Sequence, residues 1–344
     1  MLVDANIGGS ADITGGGGII GVLDEIAMAE RLGYDGVWAP EIQHDPFPPL
    51  FLAAQQSPRL HLGTGIAVAF SRNPMTMATV ANDLQAFSKG RFFLGIGSQI
   101  KPHIERRYSM PWSAPAARMR EYVLAMRAIW DCWNKGVPLD FRGDFYQHTL
   151  MTPMFDPGPN PYGPPRVMIA AVGPKMLATA AEVADGMLVH ALTSERYLRE
   201  RILPQIEPVL RRRGLTRDDF TLSFPGMIAT GSTEEELAQA ITAVRNRIAF
   251  YGVTPAYRPV LELHGWGELQ TELHRLSRKG DTDAMANLID DQILNAFAVV
   301  GEPKEVAKEI LRRFGDVIDR FTLYTPYALD EEAKKTIIDG IHAG

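Results

Sequence analysis

Residues 60–97 read LHLGTGIAVAFSRNPMTMATVANDLQAFSKGRFFLGIG, and this stretch decides the fold class. Its two apolar ends, residues 60–69 and 91–97, are typical of buried strands, whereas residues 74–88 carry apolar side chains at helical spacing. Asn73 and Pro74 are residues expected where a helix begins, and Gly90 is expected where it ends. The stretch therefore predicts a strand, a helix and a second strand, the two strands being neighbours in a parallel sheet.

The same alternation extends in both directions along the chain. Predicted strands cover residues 2–7, 36–40, 60–69, 91–97, 167–172, 186–191, 220–229 and 320–324. Eight such units without a change in composition predict an α/β protein with a single (β/α)8 TIM barrel over residues 1–344, rather than a two-domain doubly wound enzyme.

Two segments interrupt this alternation and are predicted to be insertions at the barrel mouth. Residues 141–165 contain six prolines, which predict an ordered loop without regular elements. Residues 251–295 are aromatic and mixed in charge, and helical pieces are predicted over 267–277 and 283–294. Four consecutive glycines, Gly15 to Gly18, predict a mobile segment that belongs to a gate, the alternative being a surface loop without a function.

Composition narrows the classes of function. The 344 residues include 35 Lys and Arg against 41 Asp and Glu, a net charge of −6, which argues against a nucleic-acid partner. There is no secretory leader pattern and no apolar run of about 18 residues, so we expect a cytoplasmic protein without a membrane span. The single cysteine, Cys132, excludes an internal disulfide, and we expect no metal site.

Polar residues follow the second, third and fourth predicted strands, and active sites of barrels form at the C-terminal strand ends. Glu41 and His44 after strand two are candidates for acid/base chemistry, the alternative being a helix cap. Strand three contains two glycines, Gly63 and Gly65, of which Gly65 lies towards the mouth; they predict close approach of a ligand, the alternative being tight helix packing. Strand four ends in small and then hydrogen-bonding residues, Gly97, Ser98 and Gln99; a lone G-x-G is weak evidence for a dinucleotide site.

The fifth strand runs into a helix whose first residues include Gly173, Pro174 and Lys175. Free N–H groups, the helix dipole and a lysine favour a phosphate at this point, although simple capping is the alternative. Trp112, and Trp266 in the long insertion, are candidates to line a substrate pocket, with core packing as the alternative. His264, two residues before Trp266, is a candidate acid/base group, with a structural role as the alternative.

Several motifs occur together in a fixed order. They are GYDGVW at 33–38, GTGI at 63–66, RNP at 72–74, GRFFLGIG at 90–97, AAVGP at 170–174 and ADG at 184–186. With them, the chain resembles the bacterial-luciferase-like superfamily of flavin and deazaflavin oxidoreductases. The segments at 98–101, 103–107, 110–112 and 251–258 resemble the subgroup that uses the deazaflavin coenzyme F420.

This resemblance implies a barrel mouth that holds the deazaflavin ring, with a cis peptide between Gly65 and Ile66 behind the ring. It also implies that the cofactor phosphate lies at the start of the helix after strand five, and that residues at the end of strand four border the ring. The cofactor-binding residues are then Gly65, Ile66, Gly97, Ser98, Gln99, Val172, Gly173, Pro174, Lys175 and Met176. Homodimers are usual in the family.

The function predicted on this basis is hydride transfer between F420 and a small organic substrate, with Glu41, His44 or His264 as the acid/base group. Family members that oxidise sugar phosphates carry an Asp-His pair after strand two, whereas this chain has Pro40 and Glu41, so the substrate stays open. An FMN-dependent monooxygenase of the same fold and a non-catalytic flavin-binding protein are the alternatives.

Overall fold

The computed structural model describes residues 1–9 and 18–344. Of the four glycines predicted to be mobile, Gly15 to Gly17 lie outside the described residues. The strands are β1 Leu2–Asn6, β2 Gly36–Ala39, β3 His61–Thr64, β4 Ala67–Val68, β5 Phe92–Gly97, β6 Phe141–Arg142, β7 Gln147–His148, β8 Arg166–Ala170, β9 Gly186–Leu188, β10 Thr221–Thr230, β11 Ala298–Gly301 and β12 Arg320–Tyr324.

Helices separate most of these strands. They are α1 Val22–Leu32, α2 Phe47–Gln56, α3 Pro74–Phe87, α4 Pro115–Lys135, α5 Pro174–Val183, α6 Glu195–Tyr197, α7 Leu203–Arg212, α8 Glu234–Gly252, α9 Arg258–Leu263, α10 Gly267–Ser277, α11 Thr282–Asn287, α12 Asp291–Phe297, α13 Pro303–Phe314 and α14 Glu331–Ala343. Among the described residues, none of these helices is both long and apolar enough to cross a bilayer.

Contacts group the described chain into two compact units. The first unit comprises Met1–Asp35, Val189–Gln205 and Leu222–Gly344, and the second comprises Gly36–Leu188 and Ile206–Thr221. The expectation of one domain stays a prediction.

The second unit is built on a parallel sheet with the strand order β2-β3-β5-β8-β9, in which β4 also pairs with β5. Its strands are buried almost throughout, as expected where helices cover a parallel sheet. On one face Trp38, Phe93 and Met168 form a buried cluster against which Leu188 packs.

The first unit has the parallel strand order β11-β10-β12-β1. Phe224 and Phe321 pack edge to face, with ring centroids 5.8 Å apart, and Phe314 from helix α13 lies 5.1 Å from Phe224. At the start of the sheet, the fully buried Asp4 accepts two hydrogen bonds from Arg320, at 2.5 and 2.8 Å. The bidentate hydrogen bonding offsets the free-energy cost of removing both charges from water.

All eight strands predicted from the sequence are present, the third as β3 and β4. Strand β11 was missed because its four residues follow a helix without an intervening turn signal. The prediction that residues 141–165 lack regular elements was wrong, since β6 and β7 form a short antiparallel pair. Their turn is fixed by Glu121, whose carboxylate accepts hydrogen bonds from the N–H groups of residues 144–146.

At two strand glycines, atoms of a neighbouring strand occupy the space that a side chain would need. Gly63 pairs with Trp38 across β2 and β3, and a Cβ on Gly63 would lie 2.2 Å from the Trp38 ring. A Cβ on Gly95 would lie 1.9 Å from the Thr64 carbonyl oxygen. Packing against a ring of the neighbouring strand, rather than the tight helix packing weighed from the sequence, therefore accounts for Gly63.

Gly63→Ala is expected to lower the free energy of unfolding by about 1–3 kcal/mol, because the added methyl group overlaps the Trp38 ring. Denaturant unfolding of the purified protein measures this change. Combining Gly63→Ala with Trp38→Leu should cost less than the sum of the two single changes, because the smaller side chain leaves room for the methyl group. Additive costs would show that the ring does not set this constraint.

Candidate cofactor site

The candidate site of the second unit lies where adjacent strands end. Strands β3 and β4 both pair with β5, and β5 pairs with β8. The Gly65–Ile66 peptide, which joins β3 to β4, therefore lies on the same side as the C-terminal ends of β5 and β8. The structure thereby brings together three groups of predicted cofactor residues, which are Gly65 with Ile66, Gly97 to Gln99, and Val172 to Met176.

The peptide between Gly65 and Ile66 is cis, as the family resemblance implied. The Gly65 N–H donates to the Ala39 carbonyl at 2.9 Å, and the Ile66 carbonyl accepts from the Glu41 N–H at 3.1 Å. A Cβ on Gly97 would lie 2.4 Å from the Ile66 side chain. Gly97 thus gives Ile66 its space at the strand ends.

Ser98 and Gln99 form a fixed turn directly after β5. Gln99 has a φ of 60°, and its carbonyl accepts a hydrogen bond from the Ser98 hydroxyl at 3.1 Å. Its side-chain oxygen accepts from the Ile100 N–H at 3.1 Å and lies 3.2 Å from His103 Nδ1. Both residues are half-buried, so the turn presents polar groups at a defined position.

Helix α5 begins immediately beyond β8, and its first turn is open. Gly173 occupies the N-cap position with extended backbone, and no side chain caps the helix. Gly173, Pro174 and Lys175 are exposed, and a Cβ on Gly173 would meet nothing within 4 Å. Uncapped N–H groups, the positive end of the helix dipole and the Lys175 ammonium together fit a phosphate group.

The carboxylate of Glu41 is buried and held by three donors. Its Oε2 atom accepts from the Val68 N–H at 2.7 Å and from Arg72 at 2.5 Å, and its Oε1 atom accepts from the Tyr108 hydroxyl at 3.1 Å. Arg72 also binds Asp45 at 2.7 Å. Glu41 is thus a fixed ion-pair partner that ties the end of β2 to the segments after β4 and β5.

Sequence reasoning singled out Glu41 but missed its partners. Arg72 lies 31 residues and Tyr108 lies 67 residues further along the chain. The single indication in the sequence was general: a carboxylate, if buried, needs a nearby cation and further hydrogen-bond donors. Burial, the negative charge of Glu41 and the hydrogen bond to it raise the pKa of Tyr108, so this phenol stays protonated.

His44 and Trp112, which the sequence also predicted for the site, belong to the second unit as well. His44 is exposed in the turn between β2 and α2. Trp112 is half-buried and contacts Phe70 edge to face, with ring centroids 5.8 Å apart. The guanidinium of Arg118 lies 4.6 Å from the same Phe70 ring, so Trp112 belongs to a packed aromatic group.

His264 and Trp266 lie in the first unit and contact each other. Their rings stack at 4.7 Å, and both approach Phe297. His264 Nε2 lies 2.7 Å from the Ser194 hydroxyl, which itself caps helix α6 by accepting from the Tyr197 N–H. Burial, followed by the charge of Arg196, lowers the pKa of His264.

Metal ligation was not expected from the sequence. Over residues 1–9 and 18–344, no group of three or more His, Cys, Asp or Glu side chains is placed to hold a metal ion.

The chain is similar to known proteins in sequence and in structure. Residues 5–320 match the family model described as luciferase-like monooxygenase. An uncharacterized protein of Mycobacterium tuberculosis is 56% identical over 297 residues, which cover 86% of this chain and 87% of the relative. The 5,10-methylenetetrahydromethanopterin reductase of Archaeoglobus fulgidus is 28% identical, with 83% of each chain covered.

Among solved structures, the coenzyme F420-dependent tetrahydromethanopterin reductase of Methanopyrus kandleri superposes with a TM-score of 0.80 at 21% identity, covering 100% of this chain and 98% of that one. This likeness confirms the predicted (β/α)8 barrel. With the match of the family model over residues 5–320, it follows that the chain belongs to the luciferase-like monooxygenase family.

Proposed function

We propose that this protein is an oxidoreductase that binds the deazaflavin coenzyme F420 and transfers a hydride between it and a small organic substrate. The observation that carries the proposal is the open, uncapped start of helix α5, with Lys175 in its first turn. The strand before it, β8, pairs with β5, which ends in the polar turn of Ser98 and Gln99. The name of the Methanopyrus kandleri structure, which includes coenzyme F420, supports the cofactor, and the name of the Archaeoglobus fulgidus reductase supports the oxidoreductase class.

Two parts of the second unit would hold the cofactor. Val172, Gly173, Pro174, Lys175 and Met176 would bind its phosphate through the first turn of α5 and the lysine side chain. Gly65, Ile66, Gly97, Ser98 and Gln99 would border its ring. The cofactor supplies the hydride chemistry. The protein has to bind and orient the cofactor and the substrate, and to exclude water from them.

Glu41 has a positioning role in this proposal. Both of its oxygen atoms already accept hydrogen bonds, and its partners fix the loops on either side of Ile66. His44 and His264 stay the other candidates for proton transfer.

Parallel titration with F420 and with FMN tests the proposed function. A ligand that binds only the folded state raises the stability by about 2.7 kcal/mol at a hundredfold excess over its Kd. We therefore expect F420 to raise the melting temperature by several degrees and to change its own fluorescence, and FMN to do so only at much higher concentration. A preference for FMN would favour a monooxygenase, and binding of neither ligand would contradict both functions.

Gly173→Asp separates cofactor binding from folding. The new carboxylate has free space and caps helix α5, so the stability without ligand should stay equal or rise by a few tenths of a kcal/mol. The same carboxylate repels a phosphate, so the Kd for F420 should rise at least tenfold. Gly173→Asn is the matched neutral control and should weaken binding less. Equal affinity of wild type and Gly173→Asp would place the phosphate elsewhere.

Arg72→Met is expected to lower the free energy of unfolding by about 3–5 kcal/mol, because it leaves the carboxylate of Glu41 buried without its cation. Arg31→Met is the matched control, since the Arg31 pair with Glu331 is more than half exposed and should contribute at most about 1 kcal/mol. Denaturant unfolding of both variants measures the difference. Similar losses would show that Glu41 does not depend on Arg72.

A further inference from the structure

A histidine and three tyrosines of the first unit form a cluster that the preceding sections leave without a role. His190 follows the end of β9 by two residues, and the Val189 N–H donates to the Ser223 carbonyl of β10 at 2.8 Å. Tyr324 is the last residue of β12, Tyr251 lies in α8, and Tyr257 lies in the turn before α9. We refer to these four residues as the His190 cluster.

The rings of the cluster enclose one side of the imidazole. His190 stacks on Tyr257 with a centroid distance of 4.1 Å and an interplanar angle of 21°. Tyr251 meets the imidazole edge to face at 4.8 Å, and its hydroxyl lies 2.9 Å from that of Tyr324. The orientation of His190 is therefore fixed by packing.

A backbone hydrogen bond determines which imidazole nitrogen carries the proton. The Leu192 N–H lies 3.0 Å from His190 Nδ1, and because an amide N–H only donates, Nδ1 is the acceptor. The neutral imidazole then carries its proton on Nε2. Burial lowers the pKa of His190 to about 4, so this neutral form is the one present near pH 7.

Two polar atoms of the cluster lack a hydrogen-bond partner within the described part of the chain. Among the residues that the structure describes, neither His190 Nε2 nor the Tyr257 hydroxyl has a hydrogen-bond partner, and neither atom is fully buried. Burial raises the pKa of Tyr257 to about 12, so its hydroxyl keeps its proton. The two groups are therefore neutral hydrogen-bond donors beside the stacked rings.

We propose that the His190 cluster binds the oxygen atom of a neutral, planar carbonyl compound, with His190 Nε2–H and the Tyr257 hydroxyl as donors. A carbonyl oxygen accepts two hydrogen bonds, and a planar skeleton fits beside stacked rings. An anionic ligand would need cationic partners, whereas both donors here are uncharged. The His190 cluster thus favours a neutral ligand over an anion.

This binding step does not depend on the proposed function. The oxygen of a carbonyl group carries partial negative charge, and neutral N–H and O–H donors stabilise that charge without a cation.

Nitrogen NMR of the full-length protein labelled with 15N-histidine tests the assignment without any cofactor. The probes are acetophenone, a neutral planar ketone, and benzoate, an anion of similar size. His190→Asn identifies the His190 signals; its amide can still accept from the Leu192 N–H but lacks a donor at the Nε2 position. His190→Gln restores a donor near Nε2, and His274→Asn, on an exposed face of α10, is the control.

We expect the Nε2–H tautomer in the wild type, a shift of the Nε2 signal on addition of acetophenone, and no shift with benzoate at the same concentration. His190→Asn should weaken acetophenone binding about tenfold, with partial recovery in His190→Gln and no change in His274→Asn. Tyr257→Phe keeps the stack and should weaken binding several-fold, so the test stands even if His190→Asn does not fold.

An Nδ1–H tautomer would overturn the proposal, as would equal acetophenone affinity of wild type and both His190→Asn and Tyr257→Phe, or a preference for benzoate. The F420 titration of the same samples separates the two proposals. Acetophenone binding without F420 binding would contradict the proposed function alone, and F420 binding without acetophenone binding would contradict only the role of the His190 cluster.

Discussion

A buried carboxylate requires partners, and in the second unit the arrangement of the strand ends depends on how Glu41 obtains them. Its oxygen atoms accept from Val68, Arg72 and Tyr108, and its own N–H donates to Ile66. These partners come from two chain segments, residues 66–72 and Tyr108, so one side chain sets the spacing of the loops around the candidate cofactor site. Loss of Arg72 would leave the buried carboxylate without its cation, and loss of either neutral donor would remove a hydrogen bond from one of its oxygen atoms. These contacts therefore restrict how far the loops can move apart.

Glycines at chosen strand positions complete this architecture by making room for large side chains on the next strand. Trp38 takes the side-chain space of Gly63 in the second unit, and Phe321 takes that of Gly226 in the first, where a Cβ would lie 2.1 Å from the ring. A large ring beside a missing side chain fills a barrel interior at normal density. The sequence identified Gly63 and Gly65 as unusual, but the choice between ligand and packing depended on strand register. Register is a non-local property, because a slip of one residue would turn Trp38 to the opposite face.

Local patterns in the sequence predicted what local physics determines. The eight strands, helix α3 with its Asn73 cap and the exposed start of α5 all follow from periodicity and capping within a few residues. The pairing of Glu41 with Tyr108 and of Tyr251 with Tyr324 joins residues 67 and 73 positions apart, and no local signal marks either contact. His190 was overlooked for the same reason, since in sequence it is one histidine after a short strand and only the fold surrounds it with tyrosines.

Glu41 and His190 are fixed by different kinds of contact. The Glu41 carboxylate is surrounded by donors, one of them a cation. His190 accepts a backbone N–H at Nδ1 and has aromatic rings on its faces, which suits an imidazole that stays neutral. An imidazole held in one protonation state is a poor relay for protons, but it can position a ligand and stabilise charge without rearrangement.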